Sequence, residues 1–580
     1  TEILQLNKAL TGTLSSKPYK IGVLSNVTVN SFREILEYNC RVHQIEPVVE
    51  IGNFDNIVQD SAQSADKNMV IIFYELLSVI DDLGIVFNGI SDEAFEAIQN
   101  KLCSEIDIIL ANLASIPSIV FNLFSAAAFP ASFQGPAKAE QLAATLNDYL
   151  LQRKTANLTL IDINKIISGM GQKQAYDFRF YASSKAPYSV AFLKEYTLAI
   201  QSLLLKNNGK LKKALIFDCD NTLWKGILGE DGIDGIQYDR DQPKGKYFHQ
   251  VQQLAAWYSK LGILIGLCSK NNAADVDEVL LQSKTALTND QIVIKKVNWE
   301  DKASNLRAIA ADLNIGIDSL VFIDDSSFEI NLIKEQVPEI LTLQVPQNIA
   351  EYPDQLQRLV QQYFSLELNK EDAAKTAMYK QNFERESSKT AFTDIEGYLA
   401  SLGIVITLSE NDAQQIPRLA QLTQKTNQFN LTTKRYTEQQ VQQFMEQQGG
   451  RIFALSVRDK FGDSGLTGMA IVVPDEQDEQ TAVIDSFLLS CRVIGRNIEY
   501  AFLNYIIDGL KASGFKRVQA SFAPTKKNEQ VSAFYENAGM QSVERSDDGG
   551  NSYTLELTAG ERKTYPYIAI EQAAPSTTTK

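Results

Sequence analysis

The residues of this chain that point most directly to chemistry are two carboxylates separated by one residue, Asp218 and Asp220, with Thr222 two positions further on. They come directly after residues 214–217, an apolar run typical of a buried strand. A phosphate ester resists attack because it is itself anionic, so a site that cleaves it needs a hard cation and fixed donors. Two carboxylates and a hydroxyl at a strand end therefore suit Mg²⁺-assisted phosphoryl chemistry, although the pattern alone is only moderately specific.

Three further motifs extend this pattern along the chain. Ser269 ends the apolar run 263–268, and Lys302 opens an amphipathic segment. Asp324 and Asp325 end another strand-like run. Ligands of open parallel sheets bind at the carboxyl ends of the strands, so the order and spacing predict that these side chains converge. The alternative is a set of unrelated acidic strand ends together with a solvated lysine.

Each predicted role follows from the chemistry of phosphoryl transfer. Asp218 would attack phosphorus and carry an aspartyl-phosphate intermediate. Asp220 would be the general acid for the leaving oxygen and then the general base for water. Ser269 would hydrogen-bond the phosphoryl oxygens, and Lys302 would hold the phosphate and offset the carboxylates. The predicted Mg²⁺ ligands are all carboxylates: Asp218, Asp220, Asp324 and Asp325.

Residues beside these positions are candidates for contacts with the substrate: Thr222, Trp224, Ser269, Lys270 and Asn271. Trp224 would wall the pocket, or else pack in the core. Asn271 would donate to a phosphate, or else cap the helix that follows. The intervals between the motifs leave no room for a sizeable lid. We therefore expect an open site, which suits a phosphate presented on something large, such as a carrier-protein arm or a glycan.

The central segment resembles the FkbH-like branch of the haloacid dehalogenase superfamily. The resemblance covers about residues 211–345 and includes the motifs ALIFDCDNTLWKGILGEDGIDGI, LCSKNN and NWEDKASNLRAIAADLNIGIDSLVFIDDSSFE. The rest of the chain looks like the long form of the same family. The resemblance implies a multidomain α/β fold with three parts: an SGNH-like α/β sheet, a haloacid dehalogenase Rossmann-like domain with no large cap, and an N-acetyltransferase-like α+β domain.

The resemblance also implies a function, that of an Mg²⁺-dependent glyceryl transferase and phosphatase. Such an enzyme takes a glyceryl group from 1,3-bisphosphoglycerate, removes phosphate, and loads the group as a thioester on the phosphopantetheine of an acyl carrier protein in polyketide-type biosynthesis. Cys219 would accept the acyl group before the carrier thiol does, or it is a small buried residue. Two other functions stay open: a phosphatase for a sugar or carrier-bound phosphomonoester, and a non-catalytic assembly module.

The N-terminal third alternates short β-type runs with helix-like stretches, which predicts a mostly parallel α/β sheet. Ser25 follows the first strand, as in the SGNH-like hydrolases that this part resembles. The chain has two histidines, His43 and His249, and neither has an aspartate three positions before it. A Ser-His-Asp triad of the usual type is therefore missing. We expect a non-hydrolytic domain in which Ser25 is a turn or N-cap residue.

The C-terminal third resembles an N-acetyltransferase. A loop that opens a helix partly matches a coenzyme A pyrophosphate-binding motif through Arg492 and Gly495. The predicted cofactor-binding residues are Arg492, Gly495 and Arg496. Asn497 stands where that motif has Gly or Ala, while Asn528 and Tyr535 match a later segment in which Tyr often serves as the acid. We expect a pantetheine- or carrier-binding module rather than a catalytic acetyltransferase. Basic residues that would face an acidic carrier are Lys425, Lys434, Arg435, Lys526 and Lys527.

The composition limits the class of protein and its partners. The 580 residues are 44% hydrophobic and 22% charged, which is ordinary globular material. A net charge of −16 argues against a nucleic-acid or anionic-membrane partner. The five cysteines show no C-x-x-C spacing, which suits a reducing compartment and argues against structural zinc. No apolar run reaches about 18 residues and no signal peptide is visible, so we expect a cytoplasmic protein.

The length predicts about three domains. The predicted parts are 1–206 (SGNH-like), 207–368 (haloacid dehalogenase-like), 369–390 (helical linker), 391–560 (N-acetyltransferase-like) and 561–580 (tail). The chain begins with Thr1 rather than Met. We expect it to be either a segment of a larger polypeptide, such as a synthase, or a processed chain.

Overall fold

The computed structural model describes residues 2–14, 18–80, 85–129, 136–366, 378–381, 385, 394–525, 527–546, 549–557 and 562–573. The chain divides into two compact units, Thr1–Asn208 and Gly209–Lys580. Most of the predicted linker, the end of the predicted tail and Lys526 lie outside the described residues. The predicted boundaries within each unit stay predictions.

The first unit contains, in its described residues, a five-stranded parallel sheet in the order β2-β1-β3-β4-β5. Its strands are β1 (Tyr19–Ser25), β2 (Pro47–Ile51), β3 (Met69–Phe73), β4 (Ile119–Asn122) and β5 (Leu158–Ile161). β3 is the run MVIIF, and all five of its side chains are buried. A strand that is apolar on both faces is typical of a parallel sheet covered on both sides. The predicted parallel α/β sheet is confirmed.

Helices connect these strands and cover the sheet. They are α1 (Glu2–Leu10), α2 (Phe32–Val42), α3 (Ile57–Ala62), α4 (Leu76–Val79), α5 (Asp92–Asn112), α6 (Lys138–Gln152), α7 (Ile163–Met170), α8 (Gln172–Ala175), α9 (Tyr181–Ser184) and α10 (Val190–Asn207). The two longest begin at a serine whose hydroxyl accepts a first-turn N–H. Ser91 accepts from Ala94 at 3.2 Å, and Ser189 accepts from Phe192 at 3.1 Å. These bonds satisfy N–H groups that a helix start leaves without partners.

Ser25 ends β1, and its hydroxyl is engaged in a local turn. The hydroxyl donates to the Val27 carbonyl at 2.7 Å and accepts from the Val27 N–H at 3.1 Å. This is the hydrogen bonding of a turn residue rather than of a serine held by a base. The SGNH-like relationship of this unit stays a prediction.

A buried carboxyl lies at the same edge of the sheet. Glu75 follows β3 and is 3% exposed. The Asn26 side chain holds the main chain of Glu75 in place. It accepts from the Glu75 N–H at 2.7 Å and donates to the Glu75 carbonyl at 2.9 Å. Glu75 Oε1 has no hydrogen-bond partner among the described residues. Burial raises the pKa of Glu75 to about 7, against a smaller opposing effect of Tyr188 and Asn122.

This setting predicts that Glu75 makes the stability of the first unit fall as pH rises. The carboxyl of folded protein keeps its proton up to a pH of about 7, whereas that of the unfolded chain loses it near its ordinary pKa of 4.5. Between these values the folded state binds more protons, so wild type should lose about 3 kcal/mol of unfolding free energy. Glu75→Gln should abolish that slope.

Urea unfolding of both proteins at a series of pH values, followed by amide exchange in β3, measures the slope. Glu96→Gln, which changes an exposed glutamate on α5, is the matched control and should behave as wild type. Equal slopes in wild type and Glu75→Gln would contradict the assignment.

The second unit begins with another parallel sheet, whose order within the described chain is β10-β9-β6-β7-β8. Its strands are β6 (Ala214–Phe217), β7 (Leu264–Ser269), β8 (Ile292–Val297), β9 (Leu320–Asp324) and β10 (Leu341–Gln344). The accompanying helices are α11 (Leu228–Gly235), α12 (Gly245–Lys260), α13 (Ala273–Leu280), α14 (Lys302–Asp312), α15 (Ser327–Gln336) and α16 (Tyr352–Tyr363). The central strand β6 is fully buried between β7 and β9.

A mixed sheet follows in the same unit. Its path among the described residues is β17-β18-β16-β15-β14-β13-β11-β19, with β12 paired to β15. Its strands are β11 (Ile404–Glu410), β12 (Phe429–Asn430), β13 (Arg451–Asp459), β14 (Gly462–Pro474), β15 (Thr481–Leu489), β16 (Arg517–Phe522), β17 (Gln541–Arg545), β18 (Asn551–Glu556) and β19 (Ile568–Gln572). Its helices are α17 (Ile395–Ser401), α18 (Ile416–Lys425), α19 (Glu438–Glu446), α20 (Ile498–Ala512) and α21 (Phe534–Asn537).

Direct contacts join the two sheets of the second unit. Lys527 forms an ion pair with Asp318 at 2.7 Å, and the Asn314 amide donates to the Cys491 carbonyl at 2.9 Å. Tyr379, from the short described stretch 378–381, packs into the core beside β9. Across the described ranges, no helix has the length and apolar character that a membrane crossing requires.

Candidate active site

Three carboxylates meet at the carboxyl edge of the first sheet of the second unit. β6 and β9 are neighbours, and Phe217 pairs with Ile323, so the next residues, Asp218 and Asp324, lie side by side. The Asp218 N–H donates to the Ile323 carbonyl at 2.9 Å and continues this register. One oxygen each from Asp218, Asp324 and Asp325 lies within 4.8 Å of the others. The structure thus brings together the three carboxylates that the sequence placed at separate strand ends.

Lys302 lies between two of these carboxylates. Its Nζ is 2.8 Å from Asp218 Oδ1 and 2.6 Å from Asp324 Oδ2, and all three side chains are at most 8% exposed. Lys302 is the first residue of α14, a helix capped by Asp301, whose side chain accepts from the Ser304 N–H. Burial acts to lower the pKa of Lys302, but the two carboxylates outweigh it and hold that pKa above its ordinary value.

The carboxylates outnumber their cation. With every group ionised, three carboxylates against one ammonium give a formal excess of two negative charges, at two buried positions and one half-buried position. Burial, followed by the charge of Asp218, raises the pKa of Asp324 and the pKa of Asp325. A divalent cation with a preference for oxygen ligands would offset this excess. The donor set therefore fits Mg²⁺, with Asp218, Asp324 and Asp325 as the residues that would hold it.

Asp220 lies apart from this carboxylate group. Its Oδ1 accepts from Trp224 Nε1 at 2.8 Å and from the Leu228 N–H at 3.0 Å, and its Oδ2 accepts from the Asn271 amide at 2.9 Å. Burial raises the pKa of Asp220, against the effect of these donors. A raised pKa suits a carboxyl that must deliver a proton. The carboxylate oxygens that come together do not include those of Asp220, and its predicted metal contact stays a prediction.

A tight turn after Asp220 fixes these contacts. Asn221 has a left-handed backbone with φ 51°, and its side-chain oxygen accepts from Lys225 Nζ at 2.6 Å. Gly226 has φ 109°, and a Cβ there would lie 2.7 Å from the Asp231 carboxylate, so only glycine fits without strain. Lys225 then pairs with Gln237 through two backbone hydrogen bonds. Residues 225–237 thus form a short flap beside the site rather than a lid domain.

The other predicted substrate contacts line the end of β7. Ser269 is 2% exposed, and its carbonyl accepts from the Asn298 N–H at 3.1 Å. Lys270 forms an ion pair with Glu329 at 2.8 Å, and Asn271 donates to Asp220 as described above. Of these side chains, Asn271 contacts a site carboxylate, and the roles of all three toward a substrate stay predictions.

Three predicted residues of the Asp218 turn are buried. Cys219 is 0% exposed and packs in the apolar cluster that contains Trp224. Burial, with the nearby Asp218 charge, raises the pKa of the Cys219 thiol well above its ordinary value, which disfavours the reactive thiolate. Trp224 is 1% exposed and wedges its ring into the core while its Nε1 reaches Asp220. Thr222 Oγ1 is buried and has no partner among the described residues.

The structure also shows supporting residues to which sequence reasoning gave no role. Asn298 and Asn305 exchange side-chain amide hydrogen bonds of 3.3 and 2.8 Å, which brace the start of α14 next to Lys302. Glu329 holds Lys270. All three lie in the quoted motif NWEDKASNLRAIAADLNIGIDSLVFIDDSSFE, so the signal was present. Their spacing along the chain, however, does not reveal which side chains face each other.

The predicted coenzyme A loop is held by contacts within the chain. Arg496 pairs with the buried Asp459 at 3.3 Å and donates to the Arg492 carbonyl. Arg492 donates to Ser490 Oγ at 3.1 Å and contacts Met378. Gly495 has φ 81°, a conformation that suits glycine. Tyr535, the predicted acid, is 1% exposed in the apolar core. The predicted roles of these residues stay predictions.

The comparisons with known proteins give one strong likeness of fold. No family model matches the chain. No curated protein matches it either. A crystal structure of the N-terminal part of the protein BF1531 from Bacteroides fragilis, containing a phosphatase domain and complexed with Mg, is 21% identical. It covers 63% of this chain and 99% of its own, with a TM-score of 0.55. The covered part of the chain shares this fold.

Acetyltransferases match more weakly. A putative acetyltransferase of the GNAT family from Desulfovibrio desulfuricans is 16% identical and covers 26% of this chain and 99% of its own, with a TM-score of 0.21. The ribosomal-protein-S18-alanine N-acetyltransferase from Escherichia coli is 14% identical. The match covers 27% of this chain and 96% of that protein, also with a TM-score of 0.21. Scores this low carry no argument about the C-terminal part.

The charge excess predicts that Mg²⁺ stabilises the folded protein. At about 100 times its dissociation constant, an ion that binds only the folded state adds about 2.7 kcal/mol. Asp325→Asn leaves both ion pairs of Lys302 in place but removes a like charge near Asp218. With chelator present, this variant should therefore unfold at a higher temperature than wild type, and Mg²⁺ should raise its midpoint less.

Thermal unfolding of both proteins with EDTA and with Mg²⁺ measures these shifts. Asp277→Asn changes a carboxylate that pairs with Lys295 outside the cluster, and its Mg²⁺ shift should equal that of wild type. If Mg²⁺ moves wild type and Asp325→Asn equally, Asp325 is not a ligand.

Proposed function

We propose that the second unit carries an Mg²⁺-dependent phosphatase site that works through an aspartyl-phosphate on Asp218. The observation that carries this proposal is the buried Lys302 ammonium, bound at 2.8 Å to Asp218 and at 2.6 Å to Asp324, with Asp325 alongside. The shared fold with the Bacteroides fragilis protein, whose fragment contains a phosphatase domain and was complexed with Mg, supports it.

The buried charges prepare Asp218 for attack on phosphorus. Mg²⁺, when bound, would neutralise the phosphate oxygens and make the phosphorus more electrophilic. Lys302 orients Asp218, because its buried ammonium lies at hydrogen-bond distance from that carboxylate. Ser269, at the end of the next strand, would donate to the phosphoryl oxygens. An Asp218 oxygen then forms a bond to phosphorus as the ester oxygen leaves.

Asp220 handles the protons of both steps. Its raised pKa lets it hold a proton and give it to the leaving ester oxygen. Asp220, now ionised, takes a proton from water as that water attacks the phosphorus of the aspartyl-phosphate. Inorganic phosphate leaves, and Asp218 and Asp220 return to their starting states. Trp224, Leu228 and Asn271 hold the Asp220 carboxyl, so its reach toward the substrate requires that at least one of these bonds open.

The finer proposal is glyceryl transfer. The sequence resemblance to the FkbH-like family supports 1,3-bisphosphoglycerate as donor and the phosphopantetheine thiol of an acyl carrier protein as acceptor. The thiol sulfur would bond to the acyl carbon as the carbon–oxygen bond to the first phosphate breaks. The 3-phosphate would then leave through Asp218. A short flap over residues 225–237 in place of a lid domain supports a large phosphate-bearing substrate such as a carrier arm.

The buried setting of Cys219 favours direct attack by the carrier thiol over a relay through Cys219. A thiol that is 0% exposed, with its pKa raised by burial, is a poor nucleophile. The phosphatase step requires nothing from Cys219. A plain phosphatase acting on a sugar or carrier-bound phosphomonoester is the second candidate function, and the same carboxylates support it.

We expect Asp218→Asn to lower phosphate release by about a thousandfold or more, because the amide cannot form the phosphoryl intermediate. Phosphate release from 1,3-bisphosphoglycerate and from p-nitrophenyl phosphate, with Mg²⁺, measures the effect. Intact-mass spectrometry should detect a phosphoryl adduct in wild type only. Asp354→Asn, which removes an exposed ion pair with Arg358, should keep full activity. Undiminished phosphate release by Asp218→Asn would refute the assignment.

Incubation with 1,3-bisphosphoglycerate, Mg²⁺ and a pantetheinylated carrier protein separates the two candidate functions. A carrier mass increased by one glyceryl group identifies the transferase, and free phosphate without loading identifies the plain phosphatase. Because of its burial, we expect Cys219→Ala to leave carrier loading within a fewfold of wild type. Loss of loading in this variant, with phosphate release intact, would instead restore Cys219 as the acyl carrier.

A further inference from the structure

The mixed sheet of the second unit has a gap between two of its parallel strands. β15 pairs with β16 only from Thr481 to Ile484, which face Arg517 to Ala520. Beyond Ile484 the two strands are no longer paired with each other. The other edge of β15 stays paired with β14 as far as Leu489. The half of β15 beyond Ile484 would therefore offer unpaired backbone groups on the edge that faces β16, and such an edge binds extended, amide-bearing ligands.

The chain itself fills this gap. We define residues 429–432 as the strap. Phe429 and Asn430 of the strap pair antiparallel with Leu489 and Leu488 of β15. The Leu431 N–H donates to the Phe487 carbonyl at 3.1 Å, and the Leu431 carbonyl accepts from the Ala523 N–H at 2.8 Å. The strap thus makes backbone hydrogen bonds to the β15 side and to the chain just beyond β16.

The strap is buried and held by a side-chain clamp. Asn430 and Leu431 are 0% exposed, and Phe429 is 2% exposed. Asn528, itself 0% exposed, donates to the Asn430 carbonyl at 3.0 Å and to the Ala523 carbonyl at 2.9 Å. These bonds tie the strap to the end of β16 through one amide group. The strap is an integral strand of the sheet rather than a loop resting on it.

A second filled position lies at the start of α20. The N-terminus of a helix is an anion-binding place, and the predicted coenzyme A loop leads into this one. Here Glu499, an acidic residue in the first turn of α20, is 6% exposed, so the chain buries a carboxyl of its own at this helix start. The chain therefore supplies its own carboxylate where a phosphate would bind, and a phosphate would meet a like charge.

We infer that the C-terminal part of this unit is closed to coenzyme A because its own residues occupy both places that the cofactor would need. The strap occupies the edge of β15 that the amide-bearing pantetheine arm would pair with. The Glu499 carboxylate occupies the helix start that the pyrophosphate would approach. Arg492 and Arg496 are bound to other parts of the chain. The closure of this part to coenzyme A holds whether or not the phosphatase assignment is correct.

Hydrogen exchange tests whether the strap is stably hydrogen-bonded to β15 and to Ala523. In the full chain, the Leu431 and Ala523 amides should exchange as slowly as that of Ile484 in the core of β15. Asn528→Ala removes four hydrogen bonds, two donated to the Asn430 and Ala523 carbonyls and two accepted from Thr525. It should speed exchange of Leu431 about tenfold while leaving Ile484 unchanged. Asn504→Ala removes an exposed amide contact to Lys563 and is the matched control. Fast exchange of Leu431 in wild type would overturn the inference.

A milder variant covers the case in which Asn528→Ala does not fold. Thr432→Val removes the contact between the Thr432 and Ser486 hydroxyls at 3.2 Å and keeps the shape of the side chain. It should speed Leu431 exchange by a smaller factor than Asn528→Ala. Exchange of Leu431 at the wild-type rate in this variant would contradict a strap held by these contacts.

Binding of acetyl-CoA and of free coenzyme A to the full chain tests the consequence. Titration calorimetry should show no saturable binding tighter than about 1 mM. Neither compound should change exchange at Leu431 or Ala523. A micromolar dissociation constant for either compound, or protection of residues 487–489 on its addition, would refute the inference.

Discussion

The second unit depends on one interaction, the contact of the Lys302 ammonium with Asp218 and Asp324. Burying two carboxylates next to each other is costly, and burying an ammonium alone is also costly. Together they offset each other, but a third carboxylate, Asp325, leaves the group negative. The protein therefore keeps a charge imbalance at the end of its most buried strands. Such an imbalance is typical of a site that binds an ion and an anionic substrate in turn, rather than of an interior optimised for stability.

The parallel sheet is what makes this interaction possible. Asp218 and Asp324 are far apart in sequence, yet β6 and β9 are neighbours in register, so the residues that follow them must meet. Lys302 arrives from the start of α14, which the Asn298–Asn305 pair braces. The turn from Asn221 to Gly226 directly follows Asp220, whose oxygens are not among the carboxylate oxygens that come together. Strand register and turn geometry, as well as residue type, therefore determine the contacts of each carboxyl group. Asp218 and Asp324 share the Lys302 ammonium, whereas Asp220 accepts hydrogen bonds from other donors.

The sequence predicted much of this site because its signals are local. Apolar runs that end in Asp218, Ser269 and Asp324 mark strand ends, and parallel strand ends meet at one edge. The parallel sheets were predictable for the same reason. What the sequence did not reveal depends on pairing across long stretches of chain: the link from Lys270 to Glu329, the burial of Glu75 and the strap between β15 and β16. The coenzyme A motif at Arg492 and Gly495 shows the limit of prediction from a local motif. Such a motif indicates the shape of a loop, but it does not reveal which distant residues pack against that loop.

The strap also bears on how the C-terminal part is synthesised. Its partners at Phe487, Ala523 and Asn528 all follow it in the chain. During synthesis, the apolar residues Phe429 and Leu431 stay without these partners until the polypeptide has grown past Asn528. Contacts of such large sequence separation form late, and exposed apolar strands favour aggregation. A chain truncated before Asn528 would therefore expose the apolar residues of the strap without their partners. Chaperones bind exposed apolar segments of this kind.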